Sequence, residues 1–283
     1  MKTNMLLFIT IGTLISIALQ AKENAEQVSD DVIAGHRSAL AKNTAGKGFG
    51  PQSPRDIDDI SGNNPVKFSA APAHTDMHLC NIHFHKNAEH KGGQFTTYAG
   101  NGDGKGYESG YKYSGTLTEA ELKPYDDDVC PSDHGSLISG DTIEVHYVHS
   151  TAVIAPGHTL AACLNDFTHN PQLRVETQVY VLVNDDNALD FAELTSHGEK
   201  NNYHQALNIP DNTGKPVQYT GSTTGPGYNE KGSPFKVSWS VRPEVAKVNI
   251  ATVGKWCEGN AFKEDHAHGV RNLVINPDLL SGS

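Results

Sequence analysis

Two short segments that alternate with a period of two constrain this chain most. One is Ile82-His83-Phe84-His85, and the other is Ile143-Glu144-Val145-His146-Tyr147-Val148. That period places successive side chains on opposite faces of a strand, so the apolar and polar residues separate cleanly. A helix would scatter the same residues around its circumference. The runs Leu79 to His85, Thr142 to Val148, Arg174 to Val183 and Phe235 to Val241 therefore read as strands. The 27 Gly and 14 Pro supply turns between them and disfavour a helix bundle. One short helix is expected from Ser29 to Lys42, with Ser29 or Asp30 as its N-cap. The long polar stretch Lys91 to Gly140 holds a Gly-rich run, Gly100 to Gly104, and Asp126-Asp127-Asp128. It lacks the spaced acidic ligands of an EF-hand and reads as a solvated loop. The expectation is a mainly β (α+β) single domain with short helices.

The N-terminus predicts export. Lys2 supplies a positive start, Met5 to Leu19 is an apolar run of signal length, and Ala18 or Ala21 offers a small residue for cleavage. Residues 1–21 are read as a cleaved secretory signal, 22–50 as a polar segment with the short helix, and 51–283 as the catalytic domain. The expected location is periplasmic or secreted. No later segment has eighteen uninterrupted apolar residues, so no stable membrane span is expected after cleavage. In an oxidising compartment Cys80, Cys130, Cys163 and Cys257 suggest two disulfides, with three connectivities open. Lys+Arg is 22 and Asp+Glu is 33, a formal charge of −11, which becomes −12 once Lys2 is removed. Such a chain has no electrostatic footprint for a phosphate backbone, so nucleic-acid binding is not expected. The sequence is silent on oligomeric state.

The histidines carry the chemistry. His83 and His85 share one face of a strand, and His146 lies on a second strand two residues after Glu144. Three neutral imidazoles from neighbouring strands fill three corners of a tetrahedron and leave the fourth for water, as a catalytic zinc site requires. A ligating His needs its far N–H held by an acceptor, and Glu144 shares a face with His146 to do so. Three imidazoles and a water suit several divalent ions, cobalt and cadmium among them.

His83-Phe84-His85 and Glu144-Val145-His146-Tyr147-Val148-His149 resemble the two zinc-ligand strands of α-class carbonic anhydrases. Gln52-Ser53-Pro54-Arg55-Asp56-Ile57, the run Tyr219 to Pro226 and Val237-Ser238-Trp239 resemble further blocks of that family, in the family's order. The fuller string from Cys80 to Gly92 is most similar to δ-class (diatom-type) carbonic anhydrases and their bacterial relatives. The resemblance implies a central, largely antiparallel twisted sheet with short peripheral helices. It also implies reversible hydration of CO2 to bicarbonate and a proton, by attack of zinc-bound hydroxide in an apolar pocket. Residue by residue it implies His83, His85 and His146 as zinc ligands and Glu144 as the carboxylate holding a ligand ring. Thr224 would be the hydroxyl beside the hydroxide, donating its proton to Glu89. His90 and His149 would be buried structural imidazoles. Val148, Val179, Thr223 and Trp239 would line the substrate pocket. The chain departs from the α pattern in three places. Glu89 lies only four residues after His85, fifty-four residues separate Glu89 from Glu144, and Thr223 stands where leucine is usual. Too little chain precedes His83 to hold the α-class proton-shuttle histidine, which leaves His74 and His78 as candidates.

Two other readings compete. A cupin would use His83, His85, Glu89 and another His as ligands. Pro156-Gly157-His158 is only a loose match to its second motif, and the Gln-Ser-Pro and Tyr219–Pro226 blocks go unexplained. A non-catalytic periplasmic metal-binding protein would suit 15 His and an acidic chain. Buffering His tracts are usually contiguous, whereas these alternate along strands.

Overall fold

In the computed structural model, residues 27–168, 170–223 and 230–282 are described. The proposed signal, residues 1–21, lies outside them. The first described helix is α1, Asp30–Thr44, with Ser29 at the N-cap position but without a side-chain capping hydrogen bond. Leu40 of α1 packs with Val274, Leu279 and Leu280 of the C-terminal tail. Strand β1, His78–Lys86, follows; then come β2 (Thr97–Asn101), β3 (Ser109–Lys112), β4 (Thr142–Ser150) and β5 (Gln172–Val183). The short helix α2 (Phe191–Leu194) leads into β6 (His197–Lys200), β7 (Tyr203–Ala206), β8 (Val217–Gly221), β9 (Lys236–Asn249) and helix α3 (Ile250–Cys257).

Five strands form the central sheet in the order β1-β4-β5-β9-β8. Every pairing is antiparallel except β5 with β9. The sheet is therefore mixed but largely antiparallel, on a mostly β chain, in line with the sequence expectation. All nine residues of β4 are buried, because it lies inside the sheet with both faces covered. Strand β1 is an edge, and its free edge is covered by the C-terminal segment. His268 N–H donates to the Phe84 carbonyl and Lys86 N–H donates to the His268 carbonyl. Such cover removes an unpaired edge.

The two faces differ. One packs Ile82, Phe84, Val145, Tyr147 and Tyr180 against Phe191 of α2 and Trp256 of α3. The other carries Val148, Val175, Val179, Trp239 and Val241 beneath the histidines. Two disulfides staple the periphery, Cys80–Cys163 and Cys130–Cys257, closing separations of 83 and 127 residues. In the chain-entropy account, loops of this size restrict the unfolded state by roughly 4–5 kcal/mol each.

The stretch Lys91 to Gly140 is not wholly a solvated loop. Strands β2 and β3 form a hairpin in which Tyr98 faces Tyr111. Its polarity hid it, because no residue of β2 is buried and the strand has no apolar face to alternate. The Gly-rich run forms the tip, where Gly100, Gly102, Gly104 and Gly106 all have positive φ.

Candidate metal centre

The register of β1 on β4 builds the site. His83 lies directly opposite His146, and His85 directly opposite Glu144. Period two then puts all four side chains on one face of the sheet. One ligand atom from each of His83, His85 and His146 lies within 4.8 Å of the others. His85 and His146 are buried and His83 is half-buried.

Hydrogen bonds fix which nitrogen of each ring faces inward. His83 Nδ1 donates to Asn81 Oδ1 at 2.6 Å, and the Asn81 amide nitrogen donates to the Gly157 carbonyl. His85 Nδ1 donates to the Gly269 carbonyl at 2.8 Å. His146 Nε2 donates to Glu144 Oε1 at 2.6 Å. With those three N–H groups turned outward, His83 Nε2, His85 Nε2 and His146 Nδ1 present lone pairs to one point. His83 Nε2 and His146 Nδ1 stand 3.2 Å apart. Two lone pairs at that distance repel unless a cation lies between them. Zn–N bonds of 2.0–2.1 Å in a tetrahedron separate two ligand nitrogens by about 3.3 Å. The donor set, its tautomers and its spacing fit a tetrahedral divalent ion. Burial, together with the neighbouring imidazoles, pushes His83 well below the usual histidine range. Burial likewise pushes His85 down to about 4, against the opposing pull of Glu89. Both rings therefore stay neutral and keep their lone pairs at neutral pH.

Glu144 is fully buried. Burial alone would raise its carboxyl, but the charge of His90 and hydrogen bonds from His146 and His90 outweigh burial and hold it well below the usual carboxylate range. Its Oε1 accepts from His90 Nδ1 at 2.7 Å, and its Oε2 from the His90 backbone N–H at 3.1 Å. The polar chain continues from His90 Nε2 to the Tyr219 hydroxyl and on to Ser53. His90, Glu144 and His146 also group closely enough to hold an ion, yet these hydrogen bonds already account for their approach. The structure thus links Ser53 and Tyr219, from two of the blocks singled out in the sequence, to the histidine centre through His90.

Glu89 sits beside the trio without joining it. Its Oε1 accepts the Arg271 backbone N–H at 2.7 Å, and its Oε2 lies 3.8 Å from His85 Nε2. The Arg271 guanidinium donates to the Thr223 carbonyl at 2.9 Å. Thr224 falls in 224–229, outside the described residues. Thr223, Val148, Val179 and Trp239 are all buried. Trp239 packs against the rings of His90 and His146, with centroids at 4.9 and 5.1 Å. The open space over His83 and His85, a cavity of about 500 Å³, has other walls. Leu160, Ala161 and Phe235 form an apolar side, and Lys105, Tyr107, Glu264, His268 and Arg271 a polar one.

His149, by contrast, faces away from the centre, on the opposite side of β4 from His146. His74 lies on that side too, with its ring 5.4 Å from His149 and its Nδ1 3.5 Å from Glu176. His78 packs against Tyr203 and His204 of β7. Neither His74 nor His78 lines the cavity. His268 does, with its ring 5.7 Å from His83 and 5.9 Å from His85. Its Nε2 pairs with Glu264 at 2.6 Å, and its side chain is 40% exposed. Sequence reasoning passed over this residue, although His266-Ala267-His268 is a second H-x-H in the chain.

Three imidazoles on adjacent strands, two of them buried and backed by a buried carboxylate, form a cluster that could hold a metal ion. A family model described as delta carbonic anhydrase matches residues 74–252, more than half of the chain. The chain belongs to the delta carbonic anhydrase family and is a carbonic anhydrase. Among solved structures it is similar to the alpha-carbonic anhydrase of Photobacterium profundum, with 17% identity, 81% of this chain and 88% of that one covered, and a TM-score of 0.27. It is also similar to the alpha-carbonic anhydrase of Thermovibrio ammonificans in complex with sulfanilamide, with 15% identity, 77% and 83% covered, and a TM-score of 0.24. At those scores the superpositions add nothing to the family assignment. No curated protein sequence matches the chain.

Proposed function

We propose that the chain catalyses zinc-dependent, reversible hydration of CO2 to bicarbonate and a proton, with zinc held by His83 Nε2, His85 Nε2 and His146 Nδ1. The observation that carries this reading is the convergence of those three lone pairs, each ring pinned through its other nitrogen. In carbonic anhydrases generally, a bound zinc makes hydroxide available at neutral pH. The chain's own groups then have distinct tasks. Asn81, the Gly269 carbonyl and Glu144 orient the three rings. Glu89, fixed by the Arg271 N–H, keeps Oε2 directed at the centre, where the family resemblance gives it the role of accepting a hydrogen bond from the Thr224 hydroxyl. Leu160, Ala161 and Phe235 offer an apolar wall to a substrate with no charge to grip, above the buried layer of Val148, Val179, Thr223 and Trp239. The proton leaves through the cavity by way of His268, which is partly exposed there and is held by the buried Glu264, and not through His74 or His78.

The apolar run Met5 to Leu19 and the two disulfides support export to the periplasm or beyond. No helix among the described residues is long and apolar enough to cross a membrane.

The test is elemental analysis combined with a CO2 hydration assay on wild type and His146→Ala. Wild type should carry about one zinc per chain, and His146→Ala should lose both zinc and activity. Full zinc retention in His146→Ala would show that the third ligand is misassigned.

A further inference from the structure

The hairpin tip between β2 and β3 forms part of the site's rim. Asp103 Oδ1 accepts the Lys105 and Tyr107 backbone N–H groups, and the Asp103 N–H donates to the Tyr107 carbonyl. The tip is docked on the C-terminal segment, because the Val270 N–H donates to the Gly106 carbonyl at 2.9 Å. A Cβ on Gly269 would lie 2.9 Å from the Gly106 carbonyl carbon, so the two backbones touch where only glycine fits. Gly269 is the residue whose carbonyl pins His85. The tip is thereby held in fixed relation to the metal centre.

Lys105 projects from this tip into the rim of the cavity and is exposed. Its ammonium has no hydrogen-bond or ion-pair partner among the described residues. The other charged groups of the cavity wall are engaged. Glu264 pairs with His268, Glu89 accepts from the Arg271 backbone, and the Arg271 guanidinium donates to Thr223. The chain as a whole is acidic, with a formal net charge of −11. Among the described residues of the wall, Lys105 is therefore the cation left for an anion entering or leaving the cavity. A cavity of about 500 Å³ is roughly 10 Å across, comparable to the Debye length at about 0.1 M salt.

We propose that Lys105 is the bicarbonate-binding residue of the cavity, a specificity determinant that favours the anionic product and ignores neutral CO2. This rests on the CO2 hydration reading above. A single charge at that range, facing solvent, is worth about a threefold change in anion affinity at low ionic strength.

The experiment measures product inhibition of CO2 hydration by bicarbonate in the full, zinc-loaded chain. Its readout is the ratio of the bicarbonate Ki to the CO2 KM, which a uniform loss of folded or metal-loaded enzyme leaves unmoved. Lys105→Ala should raise the ratio about threefold and Lys105→Glu further, while Lys105→Arg should restore it. Raising the ionic strength with sulfate should shrink the differences. A ratio that stays the same across all three variants, in an enzyme that hydrates CO2, overturns the role of Lys105. A wild-type chain that fails to hydrate CO2 overturns the parent reading instead.

Discussion

On β4, Val145 and Tyr147 point into one face of the sheet while Glu144 and His146 point into the other. Both faces are buried, but by different means. The first is closed by apolar contact, with Phe191 packed edge-on against Phe84 and Trp256. The second holds a carboxylate and three imidazoles on β1 and β4, with the His90 ring beside them, and the outward nitrogen of each of the three has a partner. A buried charge is tolerated only when its lone pairs are satisfied, and Glu144 has three donors on its two oxygens. Alternation thus lets one strand pair serve two purposes at once. Its apolar residues hold the fold, and its polar residues hold the centre rigid on the sheet instead of on a loop.

If the two faces are separable, the largest effect comes from damage to the apolar one. Phe191→Ala should cost about 3–5 kcal/mol of stability in urea unfolding, while the folded fraction keeps its zinc stoichiometry. Loss of zinc from the folded fraction would show that the faces are coupled. The reverse test strikes the polar face. Glu89→Gln should keep zinc and lower CO2 hydration by about a hundredfold. Loss of zinc would make Glu89 a ligand, as a cupin requires. A smaller effect is expected at the rim, where His268→Ala should lower turnover about tenfold in dilute buffer and recover as imidazole buffer is raised. Turnover that falls equally at all buffer concentrations would remove His268 from the proton path.

The last effect, confined to acid pH, concerns the imidazole on the other side of the sheet. Burial, followed by the nearby charge of His74, pushes His149 down to about 3. Its Nε2 has no hydrogen-bond partner among the described residues. The folded state keeps this ring neutral, whereas the unfolded chain protonates it near pH 6.5. Stability present above pH 6.5 is therefore lost as pH falls toward about 3, by about 1.4 kcal/mol per pH unit. His149→Gln should flatten that slope in urea unfolding of the metal-free protein. An unchanged slope would assign the acid sensitivity to other groups.

How much of this was legible in the sequence follows from what each part is made of. The ligand strands announce themselves because His83, His85 and His146 are side chains on a period-two backbone, flanked by apolar residues. The pairing of Cys80 with Cys163 and Cys130 with Cys257 was open, because spacing alone does not choose among connectivities. The segment after α3 was invisible for a different reason. Gly269 acts through a carbonyl and Arg271 through a backbone N–H, and main-chain atoms leave no signature in residue type. Arg271 also lies 182 positions from the carboxylate it fixes. Lys105 and Tyr107 were hidden by a hairpin too polar to alternate. His74 and His78 lay close to the ligands in sequence, yet the sheet separates His74 from them.

The most direct test of the central claim is stopped-flow CO2 hydration with a pH indicator, run while zinc is titrated into the metal-free protein. Activity should rise linearly and stop at one zinc per chain, well above the buffer rate. Fully zinc-loaded protein that hydrates CO2 no faster than buffer would contradict the account.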